Sequence, residues 1–129
     1  MKNNDISFKR LIRSFGYAIH GIRLMIRQEQ NAKIHLTAML LVVTAGFFFH
    51  LSLSEWLAVV IVSGGVFAAE AINTSIEALS DTIAPKYNKN IKQVKDFAAG
   101  AVLIAAITAI IAGMIIFVPK IIALFIITD

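Results

Sequence analysis

The chain has 129 residues, 58% of them hydrophobic, with no cysteine and a formal net charge of +4. Soluble domains are about 45–50% apolar, and a soluble chain this short could not bury so much apolar surface. The composition therefore points to a bilayer as solvent, and the missing cysteines exclude disulfides and thiolate metal sites. The basic residues fall in two blocks: Lys2, Lys9, Arg10, Arg13, Arg23, Arg27 and Lys33, then Lys86, Lys89, Lys92 and Lys95. Beside long apolar runs, such patches suit anionic lipid headgroups and not nucleic acid. No continuous apolar stretch in the first thirty residues marks a cleaved signal peptide.

Residues 6–28 are predicted to form an amphipathic helix. Phe8, Leu11, Ile12, Phe15, Ile19, Ile22 and Ile26 recur at helical steps and share one stripe. Lys9, Arg10, Arg13, His20 and Arg27 take another face, so the helix should lie in the membrane interface. The first span is expected over 34–51, joined by a turn without Lys or Arg to a second span over 56–83, with Trp56 as an interface anchor. That span is longer than a bilayer requires, so its end should protrude. Residues 84–96 read as a polar loop. A third span is expected over 97–118, broken by Pro119 and Lys120 and followed by an apolar tail to Ile127. The fold class is thus all-α integral membrane, with three transmembrane helices plus an N-terminal interfacial helix. Residues 1–129 form a single membrane-embedded domain. The Lys and Arg distribution places the N-terminus and the 84–96 loop in the cytoplasm. Small-residue ladders, Ala101, Ala105, Ala109 and Gly113 on the third span and Gly64 with Ala68 on the second, mark expected helix contacts.

The segment from Glu70 to Asp81 carries the chemistry. Glu70, Asn73, Glu77 and Asp81 fall at about 0°, −60°, −20° and +20° around a helix, so three carboxyls and an amide share a face. A carboxylate at the centre of a membrane costs about 2.5–3.5 kcal/mol and needs a partner or a use. Asp81 is expected near the headgroups, Glu77 deeper and Glu70 buried, about 16 Å along the axis from Asp81. Glu29, Lys95 and Asp96 should sit at the level of this cluster. Carboxylates suit Mg²⁺ held together with phosphate oxygens, nearby cations suit the phosphates, and a deep carboxylate suits a general base. These are the parts that phosphoryl transfer requires. No phosphate-cradling glycine motif is present. None of His20, His35 and His50 has metal-ligand spacing, and none is read as a ligand. The competing reading is a small proton or cation channel or transporter subunit with Glu70 and Glu77 on its path.

The run Glu70-Ala-Ile-Asn-Thr-Ser-Ile-Glu77-Ala-Leu-Ser-Asp81, followed by Lys95-Asp96, resembles the signature of the prokaryotic diacylglycerol kinase family, which includes the undecaprenol kinases. Gly16-Tyr17, His20-Gly21-Ile22-Arg23 and Glu29 match as well, and the resemblance covers about residues 8–118. It implies an ATP- and Mg²⁺-dependent lipid kinase in a prokaryotic cell membrane, a homotrimer whose active sites are shared between neighbouring subunits. Carried over by position, Glu70 is the catalytic base and a substrate contact, and Glu29 and Glu77 are magnesium ligands at the ATP site. Arg10, Tyr17, Lys95 and Asp96 contact the nucleotide, and Lys86, Tyr87 and Asn88 line the ATP entrance. Asn73 and Asp81 support the site, and Arg10 and Ala99 face the lipid. In the diacylglycerol branch a Gly-Ser-Ala-Ala pattern follows the Lys-Asp pair. Here Phe97-Ala98-Ala99-Gly100 stands there, with Ala99 in place of the serine. That pattern, and Gln30 to His35 after Glu29, resemble the undecaprenol branch, with diacylglycerol as the second substrate expected.

Overall fold

The computed structural model describes residues 8–126. Among the described residues the protein is all helical, in the order α1 (Phe8–Gln28), α2 (Gln30–Phe48), α3 (Leu53–Ile83) and α4 (Lys89–Ile126). α2, α3 and α4 are each long and apolar enough to cross a membrane, and α1 is not one of these three. The chain is a multi-pass membrane protein. The expected first residues of the amphipathic helix, 6 and 7, and the end of the tail at Ile127 lie outside the described residues.

α1 keeps its apolar stripe of Phe8, Leu11, Ile12, Phe15, Ile19 and Ile22 exposed and buries only Met25, near its end. That is the form of a helix lying flat on an apolar surface. A single extended residue, Glu29, with φ −91° and ψ 124°, separates α1 from α2. Its side chain makes no capping hydrogen bond to α2 and stays available for other work.

α2 starts at Gln30, earlier than the expected 34, and the two boundaries at the turn between α2 and α3 differ from expectation for local reasons. The first span was expected over 34–51, but α2 ends at Phe48. His50 turns back through a left-handed φ of 52°, and the Leu51 N–H donates to Gly46 O at 3.1 Å, tucking Leu51 under the helix end. The second span was expected from 56, but α3 starts at Leu53 because Ser52 and Glu55 form a reciprocal capping box. Ser52 N–H donates to Glu55 Oε2 at 2.8 Å, and Glu55 N–H to Ser52 Oγ at 3.3 Å.

The largest correction concerns α4. The loop expected over 84–96 shrinks to 84–88, because Asn88 Oδ1 accepts from the N–H groups of Asn90 at 2.9 Å and Ile91 at 3.2 Å and starts the helix there. At the other end the helix does not break at Pro119 but runs on to Ile126. A proline removes one donor from the ladder, a loss that membrane helices tolerate. Lys120, beyond it, is held by Glu55 at 3.0 Å.

α3 packs chiefly on α4, α2 packs on α3, and α1 touches α2 and α3. The apolar core sits at one end of the bundle, where Leu51, Val59 and Ile116 meet Val42, Trp56, Ala58 and Phe117. Gly46 is required there: a Cβ at this position would lie 2.7 Å from the Trp56 ring. Of the expected small-residue contacts, Ala105, Ala109 and Gly113 are half-buried, whereas Ala101, Gly64 and Ala68 are exposed in the single chain.

Two ion pairs join α3 to α4, Glu55 to Lys120 at 3.0 Å and Asp81 to Lys95 at 2.9 Å. Glu55 and Asp81 are 26 residues apart, and Lys95 and Lys120 are 25 apart, so both pairs obey one antiparallel register. They stand about 38 Å apart along the helices, slightly more than a hydrocarbon core of about 30 Å. Together they bracket the apolar part of the bundle.

Candidate active site

The polar residues gather at the Asp81–Lys95 end, away from the apolar core. The face of α3 reads as its spacing predicts: Glu70 is 1% exposed, Asn73 5% exposed, Glu77 half-buried and Asp81 exposed. Glu70 lies about 16 Å along α3 from Asp81, well inside the apolar span. Glu77 stands two turns along α3 from Glu70, on the same face, and Glu29 stands at the α1–α2 junction.

Glu29 and Glu77 take part in no ion pair or side-chain hydrogen bond among the described residues. Glu70 Oε2, Asn73 Oδ1 and Thr74 Oγ1 are buried without a hydrogen-bond partner. Buried polar atoms are usually paired, and leaving one unpaired costs on the order of 1–3 kcal/mol. Three such atoms within one turn of α3 form a place where a polar ligand would be stabilised. No group of three or more His, Asp or Glu that could hold a metal ion is found among the described residues. Magnesium does not require one, since it commonly takes one or two carboxylates and completes its shell with water and phosphate oxygens. The unengaged pair Glu29 and Glu77 fits that donor set.

Two cations at this end, Lys92 and Lys95, are already engaged. Lys95 Nζ donates to Asp81 Oδ1, and Lys92 forms an ion pair with Asp96 one turn away. Asp81 therefore holds the Lys95 ammonium in place, while Asp96 projects from an exposed position at the start of α4. Lys86 and Tyr87 are exposed in the short loop, and Asn88 caps α4. Ala99 is exposed on α4. Arg10 and Tyr17 are exposed on α1. They precede Glu29 by about 28 Å and 18 Å of helix.

Sequence reasoning missed His35, Thr74, Glu55 and Lys120. His35 lacked metal-ligand spacing and was set aside for that reason. It is nevertheless the one polar side chain of α2 that is not exposed. Its position on the apolar-facing side of the span was the signal available. Below it, toward the apolar core, α2, α3 and α4 enclose a cavity of about 390 Å³, in whose lining His35 and Ser63 are the polar side chains.

Comparison with known proteins decides the family of this chain. The family model described as prokaryotic diacylglycerol kinase matches residues 16–117. The chain belongs to this family. It is 38% identical over 119 residues to the undecaprenol kinase of Bacillus subtilis (strain 168), covering 92% of this chain and 97% of that one. It is 34% identical over 117 residues to the diacylglycerol kinase of Synechocystis sp., covering 90% of this chain and 67% of that one. The diacylglycerol kinase of Escherichia coli (strain K12) is 33% identical over 113 residues, with 86% and 91% covered. Glu29, Glu70, Glu77 and Lys95-Asp96 all lie within the matched family segment. The chain is accordingly a lipid kinase.

Proposed function

We propose that this kinase transfers the γ-phosphoryl group of ATP to the terminal hydroxyl of undecaprenol, giving undecaprenyl phosphate, with diacylglycerol as the second substrate. The observation that carries the reading is the buried Glu70 carboxylate, with one oxygen unpartnered, on the same face of α3 as the unengaged Glu77. Glu70 accepts the proton of the lipid hydroxyl as that oxygen bonds to the γ-phosphorus. The bond from phosphorus to the β-phosphate oxygen breaks, and ADP leaves. Glu29 and Glu77 would hold Mg²⁺, which supplies charge neutralisation for the ATP phosphates. Lys95, steadied by Asp81, faces the nucleotide with Asp96, and Lys86, Tyr87 and Asn88 line its entrance.

The depth of Glu70 separates the two substrates. ATP approaches from the polar end of the bundle, and the lipid reaches Glu70 sideways from the bilayer. The basic residues of α1 and Lys86 of the 84–88 loop support a cytoplasmic placement of that end, against anionic headgroups of a prokaryotic cell membrane. Arg10 and Tyr17 lie about 28 Å and 18 Å of helix before Glu29, which favours a homotrimer in which a neighbour supplies them. The undecaprenol assignment is supported by Ala99 within Ala98-Ala99-Gly100 and by the similarity to the Bacillus subtilis undecaprenol kinase.

The test is transfer of labelled phosphate from ATP to undecaprenol and to diacylglycerol in parallel, with and without Mg²⁺. The expected result is magnesium-dependent labelling of both lipids, faster for undecaprenol. Faster labelling of diacylglycerol would reverse the substrate assignment. No labelled lipid from a folded oligomer would overturn the mechanism and favour an ion path through the same carboxylates.

A further inference from the structure

We propose that Thr74 is a further catalytic residue: its hydroxyl donates a hydrogen bond to a non-bridging oxygen of the phosphoryl group as that group passes from ATP to the lipid. The proposal rests on the kinase reading above. Three observations meet at this residue.

The first is an exception in hydrogen bonding. Thr37, Thr44, Thr82 and Thr108 each donate their hydroxyl to the carbonyl four residues earlier, at 2.8–2.9 Å. Ser75, next to Thr74, does the same at 2.8 Å. This bond is open to any threonine inside a helix. The four threonines that make it are exposed, whereas Thr74, the remaining threonine among the described residues, is half-buried. Its Oγ1 is closed off from solvent and has no partner. The hydroxyl with the most to lose from burial is thus the one that leaves its local carbonyl unused.

The second is place. Around α3, Asn73 and Thr74 point about −60° and +40° from Glu70, and Glu77 about −20°. Asn73 and Thr74 therefore flank the line from Glu70 to Glu77. Thr74 stands about 6 Å along the axis from Glu70 and about 4.5 Å from Glu77. Glu70 receives the proton of the lipid, and Glu77 belongs to the nucleotide side, so the phosphoryl group crosses the interval in which Thr74 lies.

The third is polarity. Of the three unpartnered atoms on this face, Glu70 Oε2 and Asn73 Oδ1 are acceptors, and Thr74 Oγ1 alone carries a hydrogen. Non-bridging phosphoryl oxygens only accept hydrogen bonds, and the charge of the transferring group is spread over them. A donor fixed in a site closed to water acts most strongly on charge of this kind. Thr74 keeps its proton throughout. Glu70 takes the proton of the lipid hydroxyl, and the bond to the β-phosphate oxygen breaks as the bond to the lipid oxygen forms.

The test compares Thr74→Val, which keeps the branched shape and removes the hydroxyl, with Thr74→Ser, which keeps the hydroxyl, in the full-length protein in bilayer nanodiscs. Thr74→Val is expected to lower kcat for lipid phosphorylation about 100-fold. The KM values for MgATP and for the lipid should stay as in wild type, the pattern of an interaction made only in the transition state. Thr74→Ser should recover most of the loss. Thermal unfolding of nucleotide-free Thr74→Val should come no earlier than that of wild type, because the hydroxyl removed has no partner to lose. A rise in KM with kcat retained, or a Thr74→Ser variant as slow as Thr74→Val, would overturn the proposal. Earlier unfolding or failed assembly of Thr74→Val would overturn it as well, by assigning the hydroxyl to a contact within or between subunits. An active wild type with undiminished Thr74→Val activity would remove Thr74 alone. A wild type that labels no lipid would remove the kinase mechanism and this proposal together.

Discussion

The two ends of the bundle are built on opposite principles. At the Glu55–Lys120 end, polar groups are paired: the capping box closes the start of α3, Lys120 bridges to Glu55, and Leu51, Trp56, Val59, Ile116 and Phe117 pack together. Aromatic contacts between Phe47 and Trp56 and between Phe49 and Phe117 reinforce this end. At the Asp81–Lys95 end, polar atoms outnumber their partners. Glu70, Asn73 and Thr74 each bury an atom without one, and Glu29 and Glu77 remain unengaged. The first end is satisfied by the chain itself, and the second is completed by what it binds. The common register of the two ion pairs means that the satisfied end also fixes how α3 and α4 meet at the unsatisfied one.

The comparison is broken most directly at Glu70. Glu70→Gln should lower kcat by about 10³-fold, within the usual range for removing a general base, while the size-exclusion elution position stays that of wild type. Retained turnover would remove Glu70 as the base. Glu29→Gln and Glu77→Gln should each raise the Mg²⁺ concentration needed for half-maximal rate by roughly tenfold or more, since each removes half of a two-carboxylate donor set. An unchanged magnesium titration would separate them from the metal.

The paired end should respond in stability and not in catalysis. Gly46→Ala forces a methyl group against the Trp56 ring and should cost about 1–3 kcal/mol, read as earlier unfolding in a denaturant titration, with the MgATP KM unchanged. Stability equal to wild type would show that Trp56 can move aside and that this end is looser than its contacts imply. The smallest effect is expected from Lys120→Gln. The Glu55–Lys120 pair is about a quarter exposed on both sides, and partly solvated pairs contribute little. A small fall in thermal stability, with kcat retained, is the expected outcome. Loss of activity in this variant would show that the two ends are coupled through the register of α3 and α4.

Much of the site was legible in the sequence because a helix converts spacing into direction. Offsets of three, seven and eleven residues put Asn73, Glu77 and Asp81 beside Glu70 without reference to any other element, and the graded burial of Glu70, Glu77 and Asp81 followed from distance along the axis alone. The helix ends were less legible. Pro119 and Lys120 together looked like a stop because the partner of Lys120, Glu55, lies 65 positions earlier. The 84–96 loop looked too long because the side chain of Asn88 had no visible role until it was seen to cap α4.

By itself, then, the sequence determined what local geometry and composition control: three apolar helices behind an interfacial one, and a carboxylate face whose period matches the helix. The tertiary structure decided what depends on register between helices. It set Gly46 against Trp56, Lys95 on Asp81 and Lys120 on Glu55. Periodicity places a residue on its own helix, but only packing, which fixes how far one helix is shifted along another, chooses the residue it will face.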